Sequence, residues 1–215
     1  NRSGRYYVLL DEIQEVRHWE RAVSSLFSDA NVDLYITGSN SRLLSSELAT
    51  YIAGRHVEIK ISTLSFKEYL LFKEVRTGQN PVNLREEIQT YIRLGGFPAV
   101  HTGDYEEDVA YRIVNDIYSS AILRDNVQRH SIRNIDLLER VVKYAFDNIG
   151  NTFSAKNVAD YFKSQQRKVD LNTVYNYLNA LESAYIIRKI PLYDIKGKEI
   201  LKTNEKYYIG DQSLA

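Results

Sequence analysis

Tyr-Tyr-Val-Leu-Leu-Asp-Glu, residues 6–12, is the stretch of sequence that decides the fold. Five aromatic or aliphatic residues in a row are typical of a buried β-strand, and two carboxylates follow them at once. Two more strand-like runs come later: residues 32–37, followed by Gly-Ser-Asn at 38–40, and residues 56–61, in which polar and apolar side chains alternate. Strands joined by helical crossovers in this way predict a parallel sheet of the α/β class.

Helices are predicted between and after these strands from the spacing of apolar residues. Residues 19–26 and 41–50 carry apolar side chains three and four positions apart, as on one side of a helix. Ser65 and Glu68 have the spacing of a capping box, which predicts the start of another helix. Later in the chain helical patterns dominate, and Gly-Gly-Phe-Pro at 95–98 is a predicted break between two of them.

The acidic pair Asp11 and Glu12 falls at the carboxyl end of the first strand, where ligands of α/β proteins bind. A Walker B motif has the same physical arrangement. Its first carboxylate serves a Mg²⁺ ion, a hard cation that prefers oxygen ligands, and its second polarises an attacking water as general base. The alternative is that the two acids only cap the next helix through its dipole.

Polar residues that follow the second strand are expected to lie beside this acidic pair. Ser39 offers a hydroxyl and Asn40 an amide, and either group can orient an attacking water without adding charge. An ordinary Gly-Ser-Asn turn is the alternative interpretation of the same residues.

Several short motifs follow one another along nearly the whole chain. They are Tyr-Tyr-Val-Leu-Leu-Asp-Glu-Ile-Gln (6–14), Tyr-Ile-Thr-Gly-Ser-Asn-Ser (35–41), Ala-Gly-Arg (53–55), Leu-Ser-Phe-Lys-Glu-Tyr-Leu (64–70), Leu-Gly-Gly-Phe-Pro (94–98) and Lys-Tyr-Tyr-Ile-Gly-Asp (206–211). In this order they resemble a family of prokaryotic AAA-type P-loop ATPases. In that family an ATPase domain is followed by a winged helix and a C-terminal restriction-nuclease-like domain of unknown function.

The resemblance implies ATP and Mg²⁺ as cofactors and gives roles to individual residues. Asp11 would be the acid on the magnesium side of the nucleotide, and Glu12 the catalytic base. The resemblance also implies Ser39 or Asn40 as the sensor of the γ-phosphate, with Ser39 assigned to nucleotide binding and Asn40 to catalysis.

Arg55, which follows a glycine, is a candidate arginine finger or phosphate sensor. A guanidinium group is always charged and offers planar donors to γ-phosphate oxygens. Arg42 is a rival for this role. For either residue the alternative is an ordinary surface arginine.

A Gly-rich loop ending in Lys-Ser or Lys-Thr, which cradles phosphates through its backbone N–H groups, does not occur in residues 1–215. We therefore expect the chain to be a fragment of a longer ATPase, with that loop upstream of Asn1. Residues 211–215 are expected to begin the nuclease-like domain, with its remaining acids beyond Ala215. Such a fragment alone is expected to be neither a working ATPase nor a nuclease.

The predicted organisation has three main parts before that end. Residues 1–83 are a partial AAA-type core of the P-loop NTPase class, from the Walker B strand onward. Residues 84–133 are a helical connector or lid. Residues 134–210 read as helix, helix, helix and two or three strands, an order that suits a winged helix-turn-helix.

A winged helix suggests DNA as a partner, and residues 151–210 are mildly basic, with 10 Lys and Arg against 6 Asp and Glu. Protein docking is the alternative, since winged helices also serve as docking modules. The candidates for base edges are on the third predicted helix and those for phosphates are in the turn between strands. They are Asn172, Thr173, Asn176, Lys196 and Lys198.

Composition excludes several classes of function. The chain has no cysteine, which excludes a disulfide framework, a thiolate metal site and a cysteine nucleophile. No apolar run is long enough for a membrane span and no export signal is visible, so a cytoplasmic location without a membrane partner is predicted. A non-enzymatic DNA-binding or docking module is the competing class of protein.

Overall fold

The computed structural model of the chain describes residues 4–13, 16–29, 31–38, 56–80, 83–120, 132–167, 169–191 and 205–215. Its helices and strands are β1 (Tyr6–Leu10), α1 (Trp19–Asp29), β2 (Val32–Ile36), α2 (Phe66–Thr77), α3 (Leu84–Leu94), α4 (Glu107–Ser120), α5 (Ile135–Asp147), β3 (Thr152–Phe153), α6 (Ala155–Ser164), α7 (Leu171–Ser183), β4 (Ile187–Pro191) and β5 (Glu205–Ile209). Short 3-10 helices cover Pro98–His101 and Gln212–Leu214. The chain divides into two compact units, Asn1–Lys60 and Ile61–Ala215.

In the first unit, β1 and β2 pair in parallel through the crossover helix α1, which confirms a parallel α/β arrangement. The register runs from Tyr6 opposite Val32 to Leu10 opposite Ile36. One face of this pair packs on a small core. That core consists of Ile13, Trp19 and Val23, with Leu10, Leu34 and Ile36 against it. The predicted helix at 41–50 lies outside the described residues.

The predicted third strand, residues 56–61, is wrong. The structure leaves this segment without strand pairing among the described residues. Val57, Ile59 and Ile61 are 87%, 79% and 89% exposed. Alternation of apolar and polar side chains fits an extended backbone, but a strand also needs a neighbour to pair its N–H and C=O groups. Alternation in the sequence therefore indicates an extended backbone but does not show that a neighbouring strand is present.

In the second unit, the capping box at the start of α2 is confirmed. The Ser65 hydroxyl accepts from the Glu68 N–H at 3.4 Å, and the Ser65 N–H donates to Glu68 Oε2 at 2.8 Å. These two bonds satisfy amide donors that have no partner within the helix. The Ser65 hydroxyl also donates to Glu68 Oε2 at 2.7 Å, and this bond, together with the one from the Ser65 N–H, holds the pKa of Glu68 below its usual value.

The break at 95–98 is confirmed, and the neighbouring chain explains why it needs glycine. Gly95 has φ of 69°, the left-handed region that glycine enters without cost. A Cβ on Gly95 would lie 1.8 Å from Asp211 Oδ1, and one on Gly96 would lie 2.1 Å from the Leu64 carbonyl oxygen. The Gly96 N–H donates to Asp211 Oδ2 at 2.8 Å, and Asp211 is only 1% exposed.

The C-terminal part of the second unit packs three helices on a three-stranded antiparallel sheet in the order β3-β5-β4. Its core is drawn from α5, α6, α7 and the sheet, including Leu138, Val158, Val174 and Ile187. Ser154 and Asp170 are the N-caps of α6 and α7. Gly150, a residue type that often ends helices, does not cap α5, because this helix ends at Asp147 with Asn148 as its cap.

Residues 211–215 pack in this same second unit. Asp211 caps the 3-10 helix Gln212–Leu214 by accepting from the Ser213 N–H at 3.1 Å. Leu214 lies against the cluster formed by Val100, Ala110 and Val114. The predicted boundaries at 83, 133 and 210 stay predictions, since none of these packing contacts assigns a separate domain.

Candidate functional site

The carboxyl end of the parallel pair brings Asp11, Glu12 and Thr37 together. The backbone continues the ladder past the strands, because the Thr37 N–H donates to the Leu10 carbonyl at 2.9 Å. The Thr37 hydroxyl then donates to Asp11 Oδ1 and accepts from the Glu12 N–H at 3.3 Å. One hydroxyl therefore fixes the side chain of the first acid and the backbone of the second.

The backbone at Glu12 has φ of 46°, a left-handed conformation that is uncommon for a residue with a Cβ. Residues held in this region cluster at functional sites, where the surrounding structure imposes the conformation. Ile13, the next residue, is buried in the core beneath the strands. The tight turn between Leu10 and Ile13 thus aims two exposed carboxylates away from that core.

The oxygen atoms at this strand end fit a Mg²⁺ ion. Asp11 supplies a carboxylate, a hard oxygen ligand, and the Thr37 hydroxyl holds that carboxylate by a hydrogen bond. Magnesium is usually held by one or two carboxylates together with substrate phosphates and water, rather than by a complete protein cage. Within the described ranges no three His, Cys, Asp or Glu residues form such a cage. Asp11 is the residue that would hold the ion, and Thr37 would keep its carboxylate in position.

A separate ion pair lies toward the amino end of the two strands. Arg5 Nε is 2.7 Å from Asp33 Oδ2. With a rise of about 3.3 Å per residue, the four-residue step from Asp33 to Thr37 is roughly 13 Å along β2. The hydrogen bond to Asp33 raises the pKa of the Arg5 guanidinium and keeps it engaged at that end. The acidic pair is therefore not part of this ion pair.

Thr37 is the site residue that the sequence prediction missed. Ser39 and Asn40 were the predicted polar groups, and both lie outside the described residues, as do Arg42 and Arg55. The signal for Thr37 was the register itself. Once β1 and β2 pair from Tyr6 opposite Val32, the same offset places Thr37 opposite Asp11.

The predicted nucleic-acid residues of the third helix are on α7. Asn172 and Asn176 are exposed and one turn apart, whereas Thr173 is half-buried. The backbone N–H of Asn172 donates to the capping carboxylate of Asp170 at 3.1 Å. Asn172 therefore lies in the first turn of α7. Lys196 and Lys198 lie outside the described residues.

Comparison with known proteins agrees with the geometry of the first unit. Residues 1–70 match the model of a family described as an AAA domain. A parallel pair that ends in an exposed acidic pair, together with this match, supports an AAA-type ATPase-like protein. Residues 85–215 match the model of a second family, described as a domain of unknown function (DUF8612). That match covers more than half of the chain, and the chain belongs to this family.

Two relatives resemble the chain over nearly its whole length. An uncharacterized protein of Haemophilus influenzae is 39% identical over 210 residues, which is 98% of this chain and 52% of that protein. An uncharacterized protein of Methanocaldococcus jannaschii is 32% identical over 209 residues, 95% of this chain and 46% of that protein. The chain therefore spans about half of the length of these relatives. In the part of the chain that the structure describes, no helix has the length and apolar character of a membrane span.

Proposed function

We propose that the longer protein containing this chain is an AAA-type ATPase that hydrolyses ATP with Mg²⁺ at the carboxyl end of β1 and β2. The observation that carries the proposal is the Thr37 hydroxyl, which bonds to the Asp11 carboxylate and to the Glu12 N–H. A helix cap would not require this bridge between strands. A hydrolytic site would, because it needs the two acids in fixed and different positions.

The two acids have distinct tasks in this mechanism. Asp11, held by Thr37, orients one oxygen toward the metal. Bound Mg²⁺ supplies neutralisation of the charge that develops on the transferred phosphoryl group. Glu12 accepts the proton of the attacking water as general base. Ser39 and Asn40 remain the proposed sensor at the following turn, and Arg55 remains the proposed arginine finger or phosphate sensor.

The proposal requires a phosphate-binding loop in the longer protein, because residues 1–215 contain none. Carboxylates alone present charge of the wrong sign to a triphosphate. The experiments on catalysis therefore use the full-length protein. The relatives are about twice as long as this chain, which leaves room for such a loop.

Asp11→Asn tests the metal-side role. It removes a charge from the metal site but keeps the shape of the side chain, so Mg²⁺-dependent nucleotide binding should weaken. Glu58→Gln is the matched control, since Glu58 is an exposed acid of the same unit with Lys60 at 3.7 Å. Nucleotide affinity is measured with and without Mg²⁺ for both variants. Equal Mg²⁺ dependence in Asp11→Asn and the unmodified protein would refute the assignment of Asp11.

We further propose that residues 134–210 form a winged helix-turn-helix that contacts DNA. The three predicted helices are α5, α6 and α7, and strands β4 and β5 follow them; β3, a short strand between α5 and α6 that the sequence did not predict, joins the same sheet in the order β3-β5-β4. This arrangement supports the proposal. Asn172 and Asn176 on α7 offer amides to base edges, with Thr173 as a third candidate. Lys196 and Lys198 would meet phosphates.

The DNA proposal has a two-part test. Replacing Lys196 and Lys198 by Ala should weaken duplex binding for every sequence and reduce its salt dependence. Asn176→Ala should instead change the preference among sequences. If no duplex binds at low salt, the module docks proteins, which is the competing proposal. A protein with neither duplex binding nor ATP hydrolysis would fit the non-enzymatic docking class.

A further inference from the structure

A cleft of about 430 Å³ lies between α5 and α6, wholly within the second unit. Arg140, Lys143 and Tyr144 line it from α5 at the spacing of one helix face, and Tyr161 faces them from α6. Arg167, in the turn that leads to α7, closes the rim. The volume is in the range of ordinary small-ligand sites. The lining combines cations with aromatic rings.

The rim cations are held in place by one carboxylate. Asp136 Oδ2 accepts from Arg140 Nε at 3.0 Å and from an Arg167 terminal N–H at 3.1 Å. The bond to Arg140 is the main reason that the pKa of Asp136 lies below its usual value. Each guanidinium has five N–H donors, so most remain able to bind another anion. Asp136 thus holds two guanidinium groups from different elements at the same rim.

Lys143 adds a third cation to the lining, and Asp147 is the acid of the same lining. With Asp136 at the rim included, three cations face two carboxylates, so the cleft keeps a positive surplus. This surplus can compensate one phosphate group inside the cleft, since each phosphate needs a neighbouring cation.

Aromatic rings form the other part of the cleft. The Tyr144 and Tyr161 rings have centroids 5.2 Å apart at an angle of 51°. Phe162, only 3% exposed, adds a buried ring to this layer, with its centroid 5.7 Å from that of Tyr161. Tyr161 is 48% exposed, so one part of its ring packs on this layer and the rest is open to a ligand.

We propose that the cleft binds one nucleotide of a single-stranded nucleic acid, with the base on the Tyr161 ring and a phosphate at Lys143 and the two guanidinium groups. A positive groove with exposed aromatic rings is the usual design of single-strand binding sites, because every base has a face that can stack. This site is independent of the proposed ATPase centre.

The test measures fluorescence anisotropy of the 215-residue chain with a labelled single strand of about 12 nucleotides, within ordinary site sizes. Tyr161→Ala should weaken binding roughly fivefold or more, whereas Tyr161→Phe, which keeps the ring, should bind normally. Lys143→Ala should lower the slope of log affinity against log salt by about 0.7. Lys156→Ala removes an exposed cation of α6 that does not line the cleft, and it is the matched control.

Three outcomes would overturn the assignment. The first is that neither Tyr161→Ala nor Lys143→Ala weakens single-strand binding, or that the unmodified chain binds no single strand even at low salt. The second is that a nucleoside monophosphate displaces the oligonucleotide and binds as tightly as the oligonucleotide does, which would make the cleft a site for free nucleotides. The third is equally tight duplex binding that is insensitive to Tyr161→Ala. If Tyr161→Ala does not fold, the surface variant Lys143→Glu decides the same question by abolishing single-strand binding or leaving it intact.

Discussion

Thr37→Val is the substitution that tests the architecture of the acidic strand end most specifically. Valine keeps the shape of threonine and its preference for extended backbone but removes the hydroxyl. The variant therefore loses the bond to the Asp11 carboxylate and the acceptor for the Glu12 N–H. Thr37→Ser is the matched control, because serine retains the hydroxyl and loses only a methyl group.

The structure sets the expected magnitude. A hydrogen bond to a charged group contributes about 1.5–3 kcal/mol when buried, and exposure of this site to water reduces the figure to about 1–2 kcal/mol. If that energy serves only to hold the acids in their catalytic positions, its loss lowers turnover by roughly 5- to 30-fold. Thr37→Ser should retain turnover within about a factor of three of the unmodified protein.

The assay is steady-state ATP hydrolysis by the full-length protein, analysed as separate kcat and KM values. A positioning role predicts a fall in kcat with a smaller change in KM, because the loss affects the transition state more than the bound substrate. A turnover for Thr37→Val that equals that of the unmodified protein would refute the reasoning. So would an equal loss in Thr37→Ser and Thr37→Val.

Three further predictions concern backbone strain and buried groups. Gly95→Ala should destabilise the second unit by about 1–3 kcal/mol more than Gly78→Ala in urea unfolding. Both glycines have φ of 69°, but ψ is 13° at Gly78 and −161° at Gly95, and only at Gly95 does an added Cβ meet Asp211; equal losses would contradict this combined cost of backbone strain and clash. Glu12→Asn should leave the unfolding midpoint nearly unchanged, since asparagine tolerates φ of 46°, whereas Glu12→Val should lower it; an equal midpoint would show that the strain has no cost. Burial lowers the pKa of His101, so the unfolded chain binds the proton more tightly than the folded chain. The His101 contribution to stability is therefore complete above about pH 6.5 and is lost as the pH falls through the lower folded pKa. The free energy of unfolding in urea is measured above about pH 6.5 and again at a clearly lower pH. It should fall less between the two for His101→Gln than for the unmodified chain, and an equal fall would contradict this assignment.

The parallel pair and its acidic end could be predicted because their signals are local. Residues 6–10 are apolar without interruption, and Asp11 and Glu12 follow directly. Thr37 required one more step, since its place opposite Asp11 depends on the register between strands. A local pattern predicts each strand by itself. The register between the two strands depends on how both pack on their common core.

The wrong third strand and the missed role of Asp211 have a different cause. Val57, Ile59 and Ile61 alternate as a strand would, but pairing depends on a neighbour that their own pattern does not encode. The structure buries Asp211 against Gly96, 115 positions earlier in the chain, a contact that the sequence pattern did not predict. Contacts at such a separation leave no periodic signal, although the paired glycines at 95 and 96 mark one side of this contact.

Hydrolysis of ATP by the full-length Glu12→Gln variant tests the central claim most directly. Glutamine keeps the size and hydrogen bonding of glutamate but cannot act as a base. Turnover should therefore drop by roughly 10²–10⁴-fold while Mg²⁺-dependent ATP binding is retained. Hydrolysis by Glu12→Gln at the unmodified rate would contradict the account and would leave the acidic pair as a helix cap.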